Sequence, residues 1–330
     1  MEFSEISEKQ ITKRQHYVPK AYLKNFAAKD QDVPQVYAVF PNNKESKLVS
    51  IEDICFRAYL YDQIAIDPNS GARIFAEANK LEDSFIEYEG NYATIISKLK
   101  RNLDNTNKWT LLPEEIEQLK QFVSILVFRN PVFVHMLNCM IDRLYANDPK
   151  SMDRIKKQFP DTPSNILMAL LANEFLKMQI SPDTGMLPRA MLKTMDEAQV
   201  CIFKTQDSFF ITSDMPVVNI HGKKDGIAYD LLGMPITPSL FLAFVDTKLR
   251  IPQVVQIDEC NTKRINGKQI RKHEGVLISN KEELLSLLEV SYDDEDNDDT
   301  RFFQMLHADK ETVLKRYNEI MNAKEIKVWR

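Results

Sequence analysis

The chain has 330 residues, of which 44% are hydrophobic and 28% charged, with a formal net charge of −5. This length allows one large domain or two of ~150 residues, with enough core to fold without disulfides or structural metal. No overall basic excess marks a nucleic-acid binder, and no apolar run approaches the ~20 residues of a membrane-spanning helix.

Several chemistries are excluded by what is missing. Cys55, Cys139, Cys201 and Cys260 are far apart and form no CxxC pair, which removes zinc ribbons and thioredoxin-like redox sites. They read as reduced, packed thiols of a cytoplasmic protein. The opening Met1-Glu2-Phe3-Ser4-Glu5 lacks the basic-then-apolar order of a signal peptide. No GxGxxG, GxxxxGK[ST] or GxSxG occurs, and no two of His16, His135, His221, His273 and His307 have the spacing of a zinc helix. The acidic run Asp293 to Asp299 fails as a calcium loop, because Asp299 stands where Gly is needed and Met305 where Glu is needed. Its six acids outweigh the whole net charge, so the rest of the surface has room for a local basic patch.

In chain order, residues 1–15 are polar and loosely ordered by composition. A helix is expected from Val18-Pro19, carrying Tyr22, Leu23 and Phe26 inward. Short alternating runs at 35–40, 47–51 and 58–64 read as strands, with turn residues at Pro41-Asn42-Asn43 and Pro68-Asn69-Ser70-Gly71. From Arg73 to Leu103 the pattern is helical: Ile74, Ala78, Leu81, Phe85, Tyr88, Tyr92, Ile95 and Leu99 form one apolar stripe. Pro113 opens another helix, which Pro131 is expected to kink before it continues to about Tyr145. Helices are expected at 164–178 and 188–197. Strands follow at 200–204, 209–212, 239–245 and 276–279, with a polar helix at 264–273 and a closing helix at 309–322. The fold class is α+β: small antiparallel sheets from both ends of the chain around a central helical bundle. The organisation is one composite domain, 1–330, with an N-terminal part (14–72), a helical middle (73–199), a C-terminal sheet (200–290) and an acidic loop with closing helix (291–330).

The segment Arg14-Gln15-His16-Tyr17-Val18-Pro19-Lys20-Ala21-Tyr22-Leu23-Lys24-Asn25-Phe26 resembles the HYVP opening of an uncharacterised family, domain of unknown function 4238. Leu81-Glu82 with Glu89 looks like that family's pair of helix acids. Phe128-Arg129-Asn130-Pro131 looks like its Arg-x-Pro segment, with Asn where Thr is common. Thr212-Ser213-Asp214-Met215-Pro216-Val217 is similar to its Thr-Ser-Asp-x-Pro-Val segment, and Pro235-Ile236-Thr237-Pro238 to its Pro-Leu-Ser-Pro segment. Asn266 falls near a late Asn. The resemblance runs from about 14 to 280 and implies little chemistry, beyond the defence or toxin-type roles in which members are suspected.

His16 is the first candidate, as general base or metal ligand, since its ordinary pKa lies near neutrality. The plainer alternative is a His packed at a helix start. Arg129, beside an apolar helix face, either grips a phosphate or carboxylate or makes a structural ion pair with Glu82 or Glu89. Glu82 and Glu89, seven apart on one helix, would lie about 10 Å from each other and hold different partners. Asp214 closes a strand, either as a catalytic acid or as a turn former with Ser213. Asp246-Thr247-Lys248, on the next apolar strand, offers a weaker metal-nuclease pattern with Asp214. The catalytic set is therefore His16, Arg129, Asp214, Glu82 and Glu89. Arg14, Tyr17, Ser213 and Asn266 are assigned to substrate binding. No metal ligand set is defined, and Mg²⁺ or Mn²⁺ is the cofactor class this chemistry would use.

Two functions are carried forward. One is a hydrolase of phosphodiester or phosphate-ester bonds, nuclease-like, in which His16 moves the proton and Arg129 stabilises charge. Its partner would be nucleic acid or a nucleotide held by a local basic patch. The other is a non-catalytic binding or regulatory module that meets a protein partner in a defence complex, the same residues forming a buried structural network. Neither involves a membrane.

Overall fold

The computed structural model describes residues 11–40, 45–106, 109–206, 208–224, 227–247, 250–273 and 275–283. The N-terminal part comprises β1 (Arg14–His16), α1 (Lys20–Leu23), β2 (Gln35–Val39), β3 (Lys47–Ser50), β4 (Phe56–Ala58), β5 (Gln63–Ile66) and β6 (Arg73–Ala76). The helical middle comprises α2 (Lys80–Asp83), α3 (Ile86–Thr106), α4 (Pro113–Phe128), α5 (Pro131–Asn147), α6 (Pro149–Gln158), α7 (Ser164–Ile180) and α8 (Met186–Met195). The C-terminal part comprises β7 (Ala198–Lys204), β8 (Thr212–Ser213), β9 (Val218–Lys224), β10 (Ile227–Thr237), β11 (Leu240–Asp246), β12 (Val254–Gln256), α9 (Glu259–Lys272) and β13 (Leu277–Ser279). The architecture is α+β, with small sheets built from both ends of the chain.

The two ends share a sheet. Strand β13 lies between β2 and β8 in the order β3-β2-β13-β8, pairing Ile278 with Ala38 on one side and with Thr212 on the other. The larger sheet runs β12-β7-β11-β10-β9 and is antiparallel except where β12 joins β7. Both faces of this sheet are covered, which is why β11 reads as an unbroken apolar run. Leu240, Leu242 and Phe244 enter the main core, while Phe241, Ala243 and Val245 enter a second core with Ile265 of α9. The main core continues through Tyr92, Ile95, Ile96 and Leu99 of α3 into the apolar face of α4. Each such side chain contributes roughly 1.5–3 kcal/mol on burial.

Two departures from the sequence expectation shape the site. The stripe from Arg73 is not one helix. Residues 73–76 pair with β5, and the chain then turns through Glu77 and Asn79, both at positive φ. It makes the single turn of α2 and restarts as α3. Polar contacts hold this detour: Asp62 Oδ1 accepts the Asn79 N–H, and Asn79 Oδ1 accepts the Thr12 N–H. The apolar spacing survives because Leu81 and Phe85 still point into the core.

The second departure is at Pro131, which ends one helix and starts another rather than kinking a single one. The two axes differ by 64°. Proline bars its predecessor from helical geometry, and Asn130 is accordingly extended, with φ −72° and ψ 154°. Its side chain caps α5 by accepting the Phe133 N–H at 2.9 Å. The strand expected at 209–212 reduces to Thr212–Ser213, and the polar helix begins at Glu259 rather than Arg264. Helix α6 and the β9–β10 hairpin were not expected at all. The acidic run 293–299 and the helix expected at 309–322 lie outside the described residues. Among the described residues no single helix is long and apolar enough to cross a membrane.

Candidate functional site

The helix break puts Arg129 at the end of α4 with its backbone carbonyl released from helical bonding. Tyr61 takes up that carbonyl, donating from its hydroxyl at 2.7 Å. The guanidinium is 1% exposed, so every donor must find a partner inside the protein. Nε donates to the Tyr61 hydroxyl at 3.2 Å, Nη1 to Glu89 Oε1 at 2.7 Å, and Nη2 to the backbone carbonyl of His16. Phe85 stacks on the group with its centroid 4.3 Å from Cζ.

Glu82 and Glu89 converge on this one cation, which corrects the expectation of two separate partners. The break between α2 and α3 breaks the continuous-helix geometry behind that expectation. Glu82 Oε2 stands 3.8 Å from Nη2, beyond hydrogen-bond reach, and is buried without a partner. Burial raises the Glu82 pKa to about 7, against the pull of Arg129 and with the charge of Glu89 adding to the rise.

His16 sits opposite Phe56 in the β1–β4 pair, with the rings 5.7 Å apart. The residue is 8% exposed, and Nε2 is buried with no hydrogen-bond partner. Burial lowers its pKa below 6.5, helped by the Lys20 charge and opposed by Glu52 and Glu89. The imidazole is therefore neutral at neutral pH. Gln15, pointing the other way from the same strand, receives the Tyr61 N–H on Oε1 and donates from Nε2 to Asp62 at 2.7 Å.

Asp214 belongs to an adjoining centre. Its Oδ2 accepts the Gly275 N–H at 2.6 Å, and a Cβ at Gly275 would press against that oxygen at 3.0 Å. Burial raises the pKa values of Tyr17 and Cys55, whose side chains hydrogen-bond each other, and the Asp214 charge adds to the rise. A small cavity lies between this turn and the helix break, lined by Asn130, Asp214, Met215 and Pro216. The two centres thus meet along the backbone, through neighbours 16 and 17 at the end of β1 and 129 and 130 at the helix break. The charges that act most strongly on the imidazole are those of Lys20, Glu52 and Glu89, and Asp214 faces Tyr17 instead.

The residues assigned to substrate binding divide. Arg14 is half exposed, pairs with Asp53 at 2.7 Å and lies over the Phe56 ring. Tyr17 is buried. The Ser213 hydroxyl donates to Gln269 at 2.8 Å and accepts the Met215 N–H, closing the turn before Pro216. Asn266, 1% exposed, accepts the Ile211 N–H and donates to the Phe209 carbonyl. Sequence reading missed Tyr61, Gln15 and Gln269, although Gln15 lies inside the quoted opening segment.

Asp214 and Asp246 end strands of different sheets, so the expected metal-nuclease pair on neighbouring strands is not formed. Among the described residues no group of three or more His, Cys, Asp or Glu is arranged to hold a metal ion.

The fold and site define an α+β protein in which an N-terminal motif and a central helix break share one buried polar centre, with a C-terminal turn at an adjoining one. The family model described as "Protein of unknown function (DUF4238)" matches residues 14–283, and the chain belongs to that family. No curated protein and no solved structure matches the chain.

Proposed function

We propose that the protein hydrolyses phosphodiester or phosphate-ester bonds, with His16 as the proton-transfer residue and Glu82 as its acid partner. One observation carries this reading. Two buried titratable atoms, His16 Nε2 and Glu82 Oε2, have no hydrogen-bond partner among the described residues, and Arg129 links the two residues through the His16 backbone carbonyl and the Glu82 carboxyl. Most buried polar atoms of a protein are satisfied, and an open one costs ~1–3 kcal/mol. Their pKa shifts also suit complementary roles: a neutral imidazole that accepts a proton and a carboxyl still protonated near pH 7 that donates one.

In this reading His16 takes a proton from the attacking water as the water oxygen bonds to phosphorus. Glu82 gives its proton to the departing oxygen as that bond breaks. Arg129 is a positioning residue, because its three nitrogens are already engaged; it fixes Glu89 and the backbone of the HYVP strand. Arg57 supplies positive charge at the exposed rim around the motif, where Arg14 and Lys20 are paired with Asp53 and Glu52. The four cysteines are free, in keeping with a reducing cytoplasm.

The saturation of Arg129 favours a second reading, in which the cluster is purely architectural and function lies on a partner surface. Incubation with RNA, DNA and nucleotides, with and without Mg²⁺ or Mn²⁺, separates the two. Cleavage that His16→Gln abolishes while the fold still melts normally supports the hydrolase. Inertness toward every substrate, with the same variant lowering stability, favours the module.

A further inference from the structure

Helix α6 is the least integrated element of the helical middle. None of its residues is buried, and Ser151, Met152 and Ile155 make up its half-covered side toward the protein. Its opposite side carries Lys150, Arg154 and Lys157, spaced four and three apart and therefore in one row. Lys156 lies nearer the Met152 side, and the acids nearby are the capping Asp148 and Asp153, which sits beside the row. Among the described residues none of these four cations makes an ion pair, although the Arg154 charge acts on Asp148. Some lysines of the chain are paired, as in Lys80–Glu77, Lys98–Glu115, Lys120–Glu117 and Lys177–Glu77, and others stand singly in solvent, so what sets α6 apart is the spacing of its cations along one side. A row of unpaired cations on a chain of net charge −5 is a local feature, not a reflection of overall charge.

We infer that α6 binds the phosphate backbone of a single-stranded nucleic acid, an assignment that rests on the phosphodiester reading for the nature of the ligand. The row spans roughly 10 Å, at 1.5 Å per residue, and presents several positive charges to one linear polyanion. A membrane surface fits less well. An interfacial helix needs a free apolar face, and here Met152 and Ile155 are the residues turned toward the protein. The placement also selects a polymer over a mononucleotide. Helix α5 starts beside Arg129 and ends one residue before α6, and its 17 residues cover roughly 25 Å. A ligand that touches both the polar centre and α6 must be long.

The test is a salt titration of binding, read by fluorescence anisotropy of labelled oligouridylate and oligothymidylate. It is run in the full chain carrying His16→Gln, so that cleavage does not interfere. One arm adds Lys150→Gln, Arg154→Gln and Lys157→Gln, all exposed positions. The control arm removes equal charge with Lys29→Gln, Lys47→Gln and Lys193→Gln. The α6 arm is expected to flatten the slope of log K against log salt by about 2, at ~0.7 per phosphate contact on single strands. The control arm should leave the slope unchanged. Equal effects of the two arms, no oligonucleotide binding, or α6-dependent binding only to phosphatidylserine vesicles each overturns the proposal. Binding without turnover in the wild-type chain would instead sink the hydrolase reading alone.

Discussion

Arg129 reaches His16 through the backbone: Nη2 donates to the His16 carbonyl, 113 positions earlier, and leaves the imidazole Nε2 without a hydrogen bond. The cation that secures the N-terminal motif therefore does not consume the one group in it best suited to move a proton.

This contact makes Arg129 a keystone of stability. Arg129→Ala would strand Glu89, the His16 carbonyl and the Tyr61 hydroxyl in a largely buried setting. Removing one partner of a buried charge pair typically costs ~3–5 kcal/mol. Urea unfolding should show a loss of that order, and a loss below ~1 kcal/mol would mean the cluster is far more hydrated than its burial implies.

Glu82 should give the fold a distinctive pH dependence. Its folded pKa of about 7 lies above the ordinary 4.5, so the folded state binds more protons than the unfolded state between those values. Its contribution is fully present below pH 4.5 and is lost as pH rises through 7, amounting to at most about 3 kcal/mol. His16 works in the opposite sense: its pKa is lowered, so its contribution fades as pH falls below 6.5. Glu82→Gln should remove the alkaline loss alone and raise stability at pH 8 relative to wild type. Denaturant midpoints measured across this range check the sign.

Tyr22 joins the opening helix to two distant segments, with its hydroxyl 2.7 Å from Thr212 Oγ1 and donating to the Pro235 carbonyl at 2.6 Å. Tyr22→Phe removes one oxygen and leaves that carbonyl buried and bare, at a cost of ~1–3 kcal/mol. A midpoint unchanged in urea would show that water replaces the hydroxyl.

Asn266 should behave as a brace. Its amide is spent on the backbone of residues 209 and 211. Asn266→Ala is expected to lower stability by ~2 kcal/mol while leaving KM for any cleaved substrate unchanged. A raised KM at unchanged stability would return this residue to the substrate.

The secondary structure was most legible where one physical rule acted alone. The apolar periodicity of α3 and the unbroken run of β11 were both visible, since each reports burial directly. The break at Pro131 was visible as a proline but not as a new helix, because the Asn130 cap decides between a kink and a restart. The stripe from Arg73 misled for a different reason: strand β6, α2 and α3 all face one core, so the spacing of apolar residues persists through a change of backbone. Long-range polar pairing left little local trace. Arg129, Glu82 and Glu89 stood out as unusual acids and bases near apolar faces. Tyr61, Gln15 and Gln269, which hold the surrounding backbone, look like ordinary residues until the chain is folded. Helix α6 went unseen because its half-covered side has only Met152 and Ile155 as apolar residues.

The pH–rate profile for phosphodiester cleavage tests the central claim most directly. The account predicts a bell, with an acid limb below pH 6.5 from His16 and an alkaline limb near about 7 from Glu82. Glu82→Gln should lose the alkaline limb, and His16→Gln should lower the rate by ~10²-fold or more without a comparable loss of stability. Absence of turnover on RNA, DNA and nucleotides, or a profile that both variants leave unaltered, would contradict it.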